Sequence, residues 1–304
     1  MTPFLQQIAR YYYNKGAIQN KCFIFPNRRS MIYFRKYLCD EVVASAVPLL
    51  APQMLSINEF FSRLSGVTVS SRVRLLVELY ECYRKLNPMA ETLDEFVFWG
   101  DVLLADFNDV DKYLVDPAQL FRNISEYKEL QDDYSYLTDT QKEAINAFIK
   151  HFKDDSGRLT VNIDTDDADV KGRFLMIWNI LLPLYEDFNR SLESKGIAYE
   201  GMVYRSLAER LRETPVTDVL ADEFRDGVKY VFVGLNALNE CEKTLLRKLR
   251  DAGKAEFCWD WSGDMIRDPR NRSSFFMQDN LREFPQAFVM SDEGVGTATF
   301  NVLD

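Results

Sequence analysis

Four of the five cations in one short stretch, KCFIFPNRRSMIYFRKYL (residues 21–38), recur at a spacing that can do chemistry on an anion. Arg28 and Arg35 are seven residues apart, as are Arg29 and Lys36, so at about 100° per residue all four project from one side of a helix. If that helix starts near Arg28, its first N–H groups lack intrahelical acceptors and its dipole is positive there, which favours phosphate or carboxylate. A solvated helix face is the other reading of the same row, and the pattern alone does not separate the two.

The element that presents these cations is also readable. Residues 22–25 are a continuous apolar run of strand length, and Pro26 has no N–H to give a sheet ladder, so a buried strand stops there. Asn27 is a plausible N-cap. Met31, Phe34 and Leu38 then fall on one face as the core-facing stripe of the helix.

Other candidate chemistry is weaker. The Walker A pattern needs glycines that let backbone N–H groups wrap phosphates, yet Gly16 is the only glycine before Gly66, and Gly253-Lys254 is followed by alanine. Asn162, Asp164 and Asp166 imitate a calcium loop, but Asp167 stands where glycine is needed and Arg173 where a bidentate glutamate is needed. Asp106, Asp109 and Asp111 (ADFNDVD) could ligate a metal or act as paired carboxylates, but read as a polar connection between helices. Five scattered cysteines and one histidine, His151, make neither a disulfide framework nor a zinc site.

The chain has 304 residues, 47% of them hydrophobic, enough for one large domain or two. A net charge of -10 argues against indiscriminate coating of nucleic acid or acidic membrane, so any phosphate contact must be local. No apolar run approaches membrane-spanning length and no signal segment opens the chain, and a cytoplasmic location is expected.

In order, residues 3–15 read as a helix ended by Gly16, and residues 47–55, broken by Pro48 and Pro52, as an edge strand or irregular run. Ser56-Ile57-Asn58-Glu59 is a capping box ahead of a helix. From 70 to about 214 nearly every apolar pattern is helical. Val73, Leu76, Val77, Tyr80 and Tyr83 form one stripe, Thr92 caps a helix through Leu104, and Thr138 caps one through Phe152. Residues 173–195 and 199–212 supply two more helices, and the polar 153–169 reads as a mobile loop. Strands return at 228–233 (VKYVFV) and 255–260 (AEFCWD), flanking a helix over 240–249. The expectation is one parallel sheet interrupted by a helical block: 1–69 and 216–304 as α/β, 70–215 as helical.

FIFPNRRSMIYFRKYL (23–38), WGDVLLADFNDVD (99–111), YLTDTQKEAI (136–145), AYEGMVYR (198–205) and YVFVGLNALNECEKTLLRKL (230–249) follow one another in an order that resembles the first RecA-like domain of superfamily-one helicases. The resemblance is closer to the N-terminal half of AddB-type subunits of bacterial helicase–nucleases, of the Bacteroidetes kind. It implies a P-loop NTPase-like sheet with a large helical insertion. Residues 23–38 would be the segment termed motif Ia, which touches the backbone of single-stranded DNA, with Asn27, Arg28, Arg29 and Ser30 as the contacts and Arg35 and Lys36 beside them.

The departures from that family matter equally. No phosphate loop is present, and Gly234-Leu235-Asn236 stands where an Asp-Glu pair would hold magnesium, so neither ATP hydrolysis nor a bound cofactor is expected. Glu126-Tyr127-Lys128 and Glu193-Ser194-Lys195 are chance matches to a nuclease motif within helices. The expected role is a non-catalytic DNA-binding and scaffolding region of a longer exonuclease subunit in double-strand-break repair and recombination, partnered by an AddA-like helicase–nuclease. Trp99, Trp178, Trp259 and Trp261 are stacking candidates that more often serve as core, and Arg267, Arg270 and Arg272 form a second basic cluster. The rival reading is a protein-interaction module whose basic stripe pairs with carboxylates. A weaker rival is an enzyme built on the acidic groups.

Overall fold

The computed structural model describes residues 2–87, 90–126, 167–220, 227–261, 266, 272 and 275–288, without the side chains of 122–126 and 167–179. The chain divides into two compact units, one built from 1–66 and 206–304, the other from 67–205.

The first unit is α/β. Its sheet has four parallel strands in the order β2-β1-β5-β6, where β1 is Lys21–Phe25, β2 Gln53–Ser56, β5 Lys229–Val233 and β6 Ala255–Cys258. β1 is buried from Cys22 to Phe25, as its unbroken apolar run requires of a strand covered on both faces. β2 is the edge strand expected of a segment entered through Pro48 and Pro52. β6 ends at Cys258, two residues short of the expected strand.

α1 (Phe4–Lys15) and α2 (Arg28–Ser45) cover one face. Phe23 packs between Tyr12, edge-on, and Phe34, tilted, with ring centroids 5.1 and 4.8 Å away, and Val231, Val233 and Cys258 complete that core. On the other face α3 (Ile57–Ser65) sets Phe60 against Tyr230 at 5.2 Å. Gly16 ends α1 at φ 74°, a conformation that costs glycine little. Lys21 turns away from the basic helix. Its ammonium and the Tyr12 hydroxyl donate to Glu256 at 2.8 and 2.7 Å in a nearly enclosed cluster. Burial works to raise Glu256, but those two hydrogen bonds and the Lys21 charge outweigh it and hold the carboxyl below its ordinary range.

The second unit carries α4 (Arg72–Leu86), α5 (Leu93–Lys112), α6 (Pro117–Glu126) and α7 (Asp167–Ser194), with a parallel pair of short strands, β3 (Thr68–Val69) and β4 (Ile197–Ala198), that the helical reading of this region omits. Three further expectations need correction. The buried arc of α4 is Leu75, Leu76, Leu79, Tyr80, Cys82 and Tyr83, while Val73 and Val77 are exposed; with α5 and α7 both packed on it, the arc is wider than one stripe and centred elsewhere. α5 does not stop at Leu104 but runs to Lys112, so Asp106, Asp109 and Asp111 are helical and are not a loop connection. α7 already includes 167–169, which the sequence reads as part of the polar loop; the rest of that loop, the calcium-loop imitation at 162–166 and the helix capped at Thr138 lie outside the described residues.

Candidate nucleic-acid interface

Among the described residues, three helices directly follow strands of the main sheet at its carboxyl edge: α2 after β1, α3 after β2 and α10 (Glu240–Asp251) after β5. The chain leaves β1 toward β2 on one side, while β5 and β6 lie on the other. The strand order therefore reverses between β1 and β5, the position where open parallel sheets take ligands outside their carboxyl ends.

The three helix starts differ in one respect that decides their electrostatics. α3 and α10 are closed by capping boxes, Ser56 with Glu59 and Asn239 with Glu242, so each has a carboxylate at its own N-terminus. α2 is capped by Asn27, whose Oδ1 accepts the Ser30 N–H at 3.0 Å and its hydroxyl at 3.2 Å, and its first turn contains no acid. Arg28 and Arg29 occupy the first two helical positions instead, with their N–H groups at the open end. A negative charge at α2 is stabilised by the dipole and by the Arg29 side chain, whereas at α3 and α10 it meets the helix's own carboxylate.

The four cations are all exposed, but their states differ. Arg28 donates from Nε and Nη2 to Oε1 of Glu59 at 3.0 and 2.7 Å, linking the first turns of α2 and α3. The Ser56 N–H, joined by the Arg28 guanidinium, holds Glu59 below the usual carboxylate range against the pull of partial burial. Arg29, Arg35 and Lys36 have no ion-pair partner among the described residues. Asn27 is exposed and Ser30 half-buried, both with their polar groups turned to the cap.

Sequence reasoning passed over Tyr33. It lies four residues after Arg29 and three before Lys36, on the outward face of α2, 49% exposed and without a hydrogen-bond partner among the described residues, beside exposed Ile32. Its spacing from the two cations was the available signal. The tryptophans first considered do not share this exposure. Trp259 is buried with its indole N–H on the Phe284 carbonyl at 2.9 Å, Trp99 packs in the helical core with its N–H on Glu91, and Trp261 is half-buried. The Trp178 side chain lies outside the described residues, as do Arg267 and Arg270; Arg272 is exposed.

The acidic candidates resolve into structure. Asp111 is buried and accepts from the Tyr185 hydroxyl at 2.5 Å, the Tyr199 hydroxyl, and Arg205 Nε at 2.6 Å, from the helix α8 (Glu200–Glu213). Arg205 also donates to the carbonyls of Val110 and Val115. Burial, and after it the Asp111 charge, pushes both phenols up. Among the described residues no group of three or more His, Cys, Asp or Glu side chains is placed to hold a metal ion. Asp106 differs: its Oδ2 is enclosed without a hydrogen bond, and burial, aided by the Asp109 charge, pushes it up to about 7. Among the described residues no helix is long and apolar enough to cross a membrane. No protein-family model matches this chain, and no curated protein matches it.

Proposed function

We propose that the α2 start and its outer face bind the backbone of single-stranded DNA, and that the chain is a non-catalytic, helicase-like DNA-binding and scaffolding region of an AddB-type exonuclease subunit. The observation that carries the reading is the contrast at the carboxyl edge: of the three described helices that directly follow sheet strands, only α2 has no carboxylate of its own in its first turn, and it begins with two arginines. Arg29, Arg35 and Lys36 supply unpaired cations for phosphates, and Tyr33 supplies a ring for a base. The contacts are directed at phosphate and at π-faces, so affinity is insensitive to base sequence.

The reading assigns no ATP hydrolysis. β5 is followed by Gly234, Leu235 and Asn236, with no carboxylate before Glu240 to hold magnesium. In the parent protein this region would guide a strand past α2 and dock an AddA-like helicase–nuclease during double-strand-break repair.

A second reading is favoured by one observation. Val43 at the end of α2, and Val47 and Leu50 beyond it, are all exposed, which suits the docking of a partner protein by a purely structural module. Anisotropy titration of a short labelled single strand at low salt separates the two. Wild-type binding that Arg29→Ala/Lys36→Ala loses supports the DNA reading, and absence of binding at any salt supports the docking module.

A further inference from the structure

Phe275 and Phe276 open the helix α11 (Phe275–Glu283) side by side in solvent, 64% and 49% exposed, with ring centroids 5.5 Å apart at an interplanar angle of 79°. They are not surplus core. The inward side of α11 is already filled by Met277 and Asn280, and Phe284 just beyond it is fully enclosed.

Besides the hydrogen bonds of Arg247 and Arg250 to Glu283, three hydrogen bonds tie this helix and the residues just after it to the sheet's carboxyl edge. Asn280 Nδ2 donates to the Asn236 carbonyl at 2.6 Å, in the loop after β5. At the other end, the Trp259 indole N–H donates to the Phe284 carbonyl at 2.9 Å and the Trp259 backbone N–H to Gln286 Oε1 at 3.0 Å, just after β6. α11 is therefore anchored at the carboxyl ends of β5 and β6, the same sheet edge that carries the start of α2. Phe275 precedes Asn280 by five residues, about 7.5 Å of helix rise.

We infer that Phe275 and Phe276 are a second contact for the strand held at α2, taking unpaired bases by stacking, and that the ligand is therefore a single strand and not a duplex. The inference rests on the α2 reading. The surroundings identify the occupant. A partner protein's apolar surface needs a contiguous apolar patch, but the exposed described residues nearest the two rings in sequence, Arg272, Gln278 and Asp279, are all polar. A pair of exposed rings with a cation three residues before Phe275 and no acid in the first helical turn matches a polymer that alternates flat bases with phosphates. A duplex hides its base faces in its own stack, so only an unpaired strand can use the rings.

The test uses the full chain and three labelled ligands of equal length: oligothymidylate, the same backbone without bases, and a duplex. Phe275→Ala/Phe276→Ala is expected to weaken oligothymidylate binding on the order of tenfold, to leave the base-free strand unchanged, and to preserve the salt dependence. Phe275→Tyr/Phe276→Tyr keeps a stacking face and should restore binding, which separates a stacking role from damage to the helix. Equal loss on the base-free strand, no loss on either, or wild-type binding that favours the duplex overturns the inference. If Arg29→Ala/Lys36→Ala still abolishes binding in those cases, the α2 reading survives alone. If neither double variant matters, or the wild-type chain binds no strand, both fall.

Discussion

Glu59 serves Arg28 and Ser56 at once: its Oε1 takes two N–H groups of Arg28 at 3.0 and 2.7 Å, while its Oε2 takes the Ser56 N–H and hydroxyl at 2.9 and 3.0 Å. One carboxylate thus closes the start of α3 and occupies the cation nearest the start of α2. Arg28 is 76% exposed, so the ion pair itself contributes little to stability, and the cap contributes more. Glu59→Ala is expected to cost about 1 kcal/mol, read from urea unfolding, through the lost cap. It also frees Arg28 for phosphate, so strand binding tightens at low salt. The plot of log affinity against log salt should steepen by about 0.7, the increment for one more phosphate contact on a single strand. An unchanged slope would mean that Arg28 does not reach the strand even when released.

Arg29 and Lys36 lack partners among the described residues, so removing them should leave the fold intact. Arg29→Ala/Lys36→Ala is expected to shift unfolding free energy by no more than about 0.5 kcal/mol, as for ordinary surface changes. The salt slope of strand binding should flatten by about 1.4, two phosphate contacts at 0.7 each. Anisotropy over a potassium chloride series measures this.

Asp111 carries a structural load that is independent of DNA. Asp111→Ala leaves the Arg205 guanidinium, little exposed, without its carboxylate and strips two buried phenols of their acceptor. Loss of one partner from such a pair typically costs roughly 3–5 kcal/mol, and calorimetry of the variant should show it. Metal addition to the wild-type chain should add no stability, because the Asp111 carboxylate is already occupied by Tyr185, Tyr199 and Arg205.

Asp106 gives a pH signature of the opposite sign to most carboxylates. Its pKa is raised from 3.8 in the folded chain to about 7, so between those values the folded state holds a proton that the unfolded state has released. Its stabilising contribution is complete below about pH 4 and is lost as pH rises through 7. Glu59, Glu256 and Glu283 are lowered and lose their contribution in acid, so the signal must be read as a difference. The stability of wild type minus that of Asp106→Asn should fall from pH 4 to pH 8, measured as urea midpoints; a flat difference would show that Asp106 stays ionised when folded.

What the sequence disclosed was mostly local. The strand to Phe25, the Asn27 cap and the Ser56 and Thr92 capping boxes are each written within a few residues, and each stands in the structure. The Glu59 partner of Arg28 was not legible, because it sits 31 residues on, in the first turn of the helix that follows a neighbouring strand. The helical nature of 105–112 was legible but overlooked: Leu103, Phe107 and Val110 keep the helical period beneath aspartates that suggest a loop. Tyr33 was legible as well: the stripe of Met31, Phe34 and Leu38 already puts Phe34 inward, and the spacing of Tyr33 from Arg29 and Lys36 puts it on the outer face, where the structure leaves it exposed. The α4 stripe was misplaced because sequence gives a period but not the number of neighbours.

The pairing of β1 with β5 joins Cys22 to Tyr230, residues 208 positions apart in the chain. During synthesis β1 must therefore wait, with the edge that β5 will pair left unsatisfied, until Tyr230, 208 residues later, has emerged. The 67–205 unit is contiguous and can close first, while the α/β unit inherits the slow folding that distant parallel pairing imposes. Translation order makes the strand that precedes the basic helix among the last to be locked into place, and in that interval the nascent chain most needs protection from aggregation.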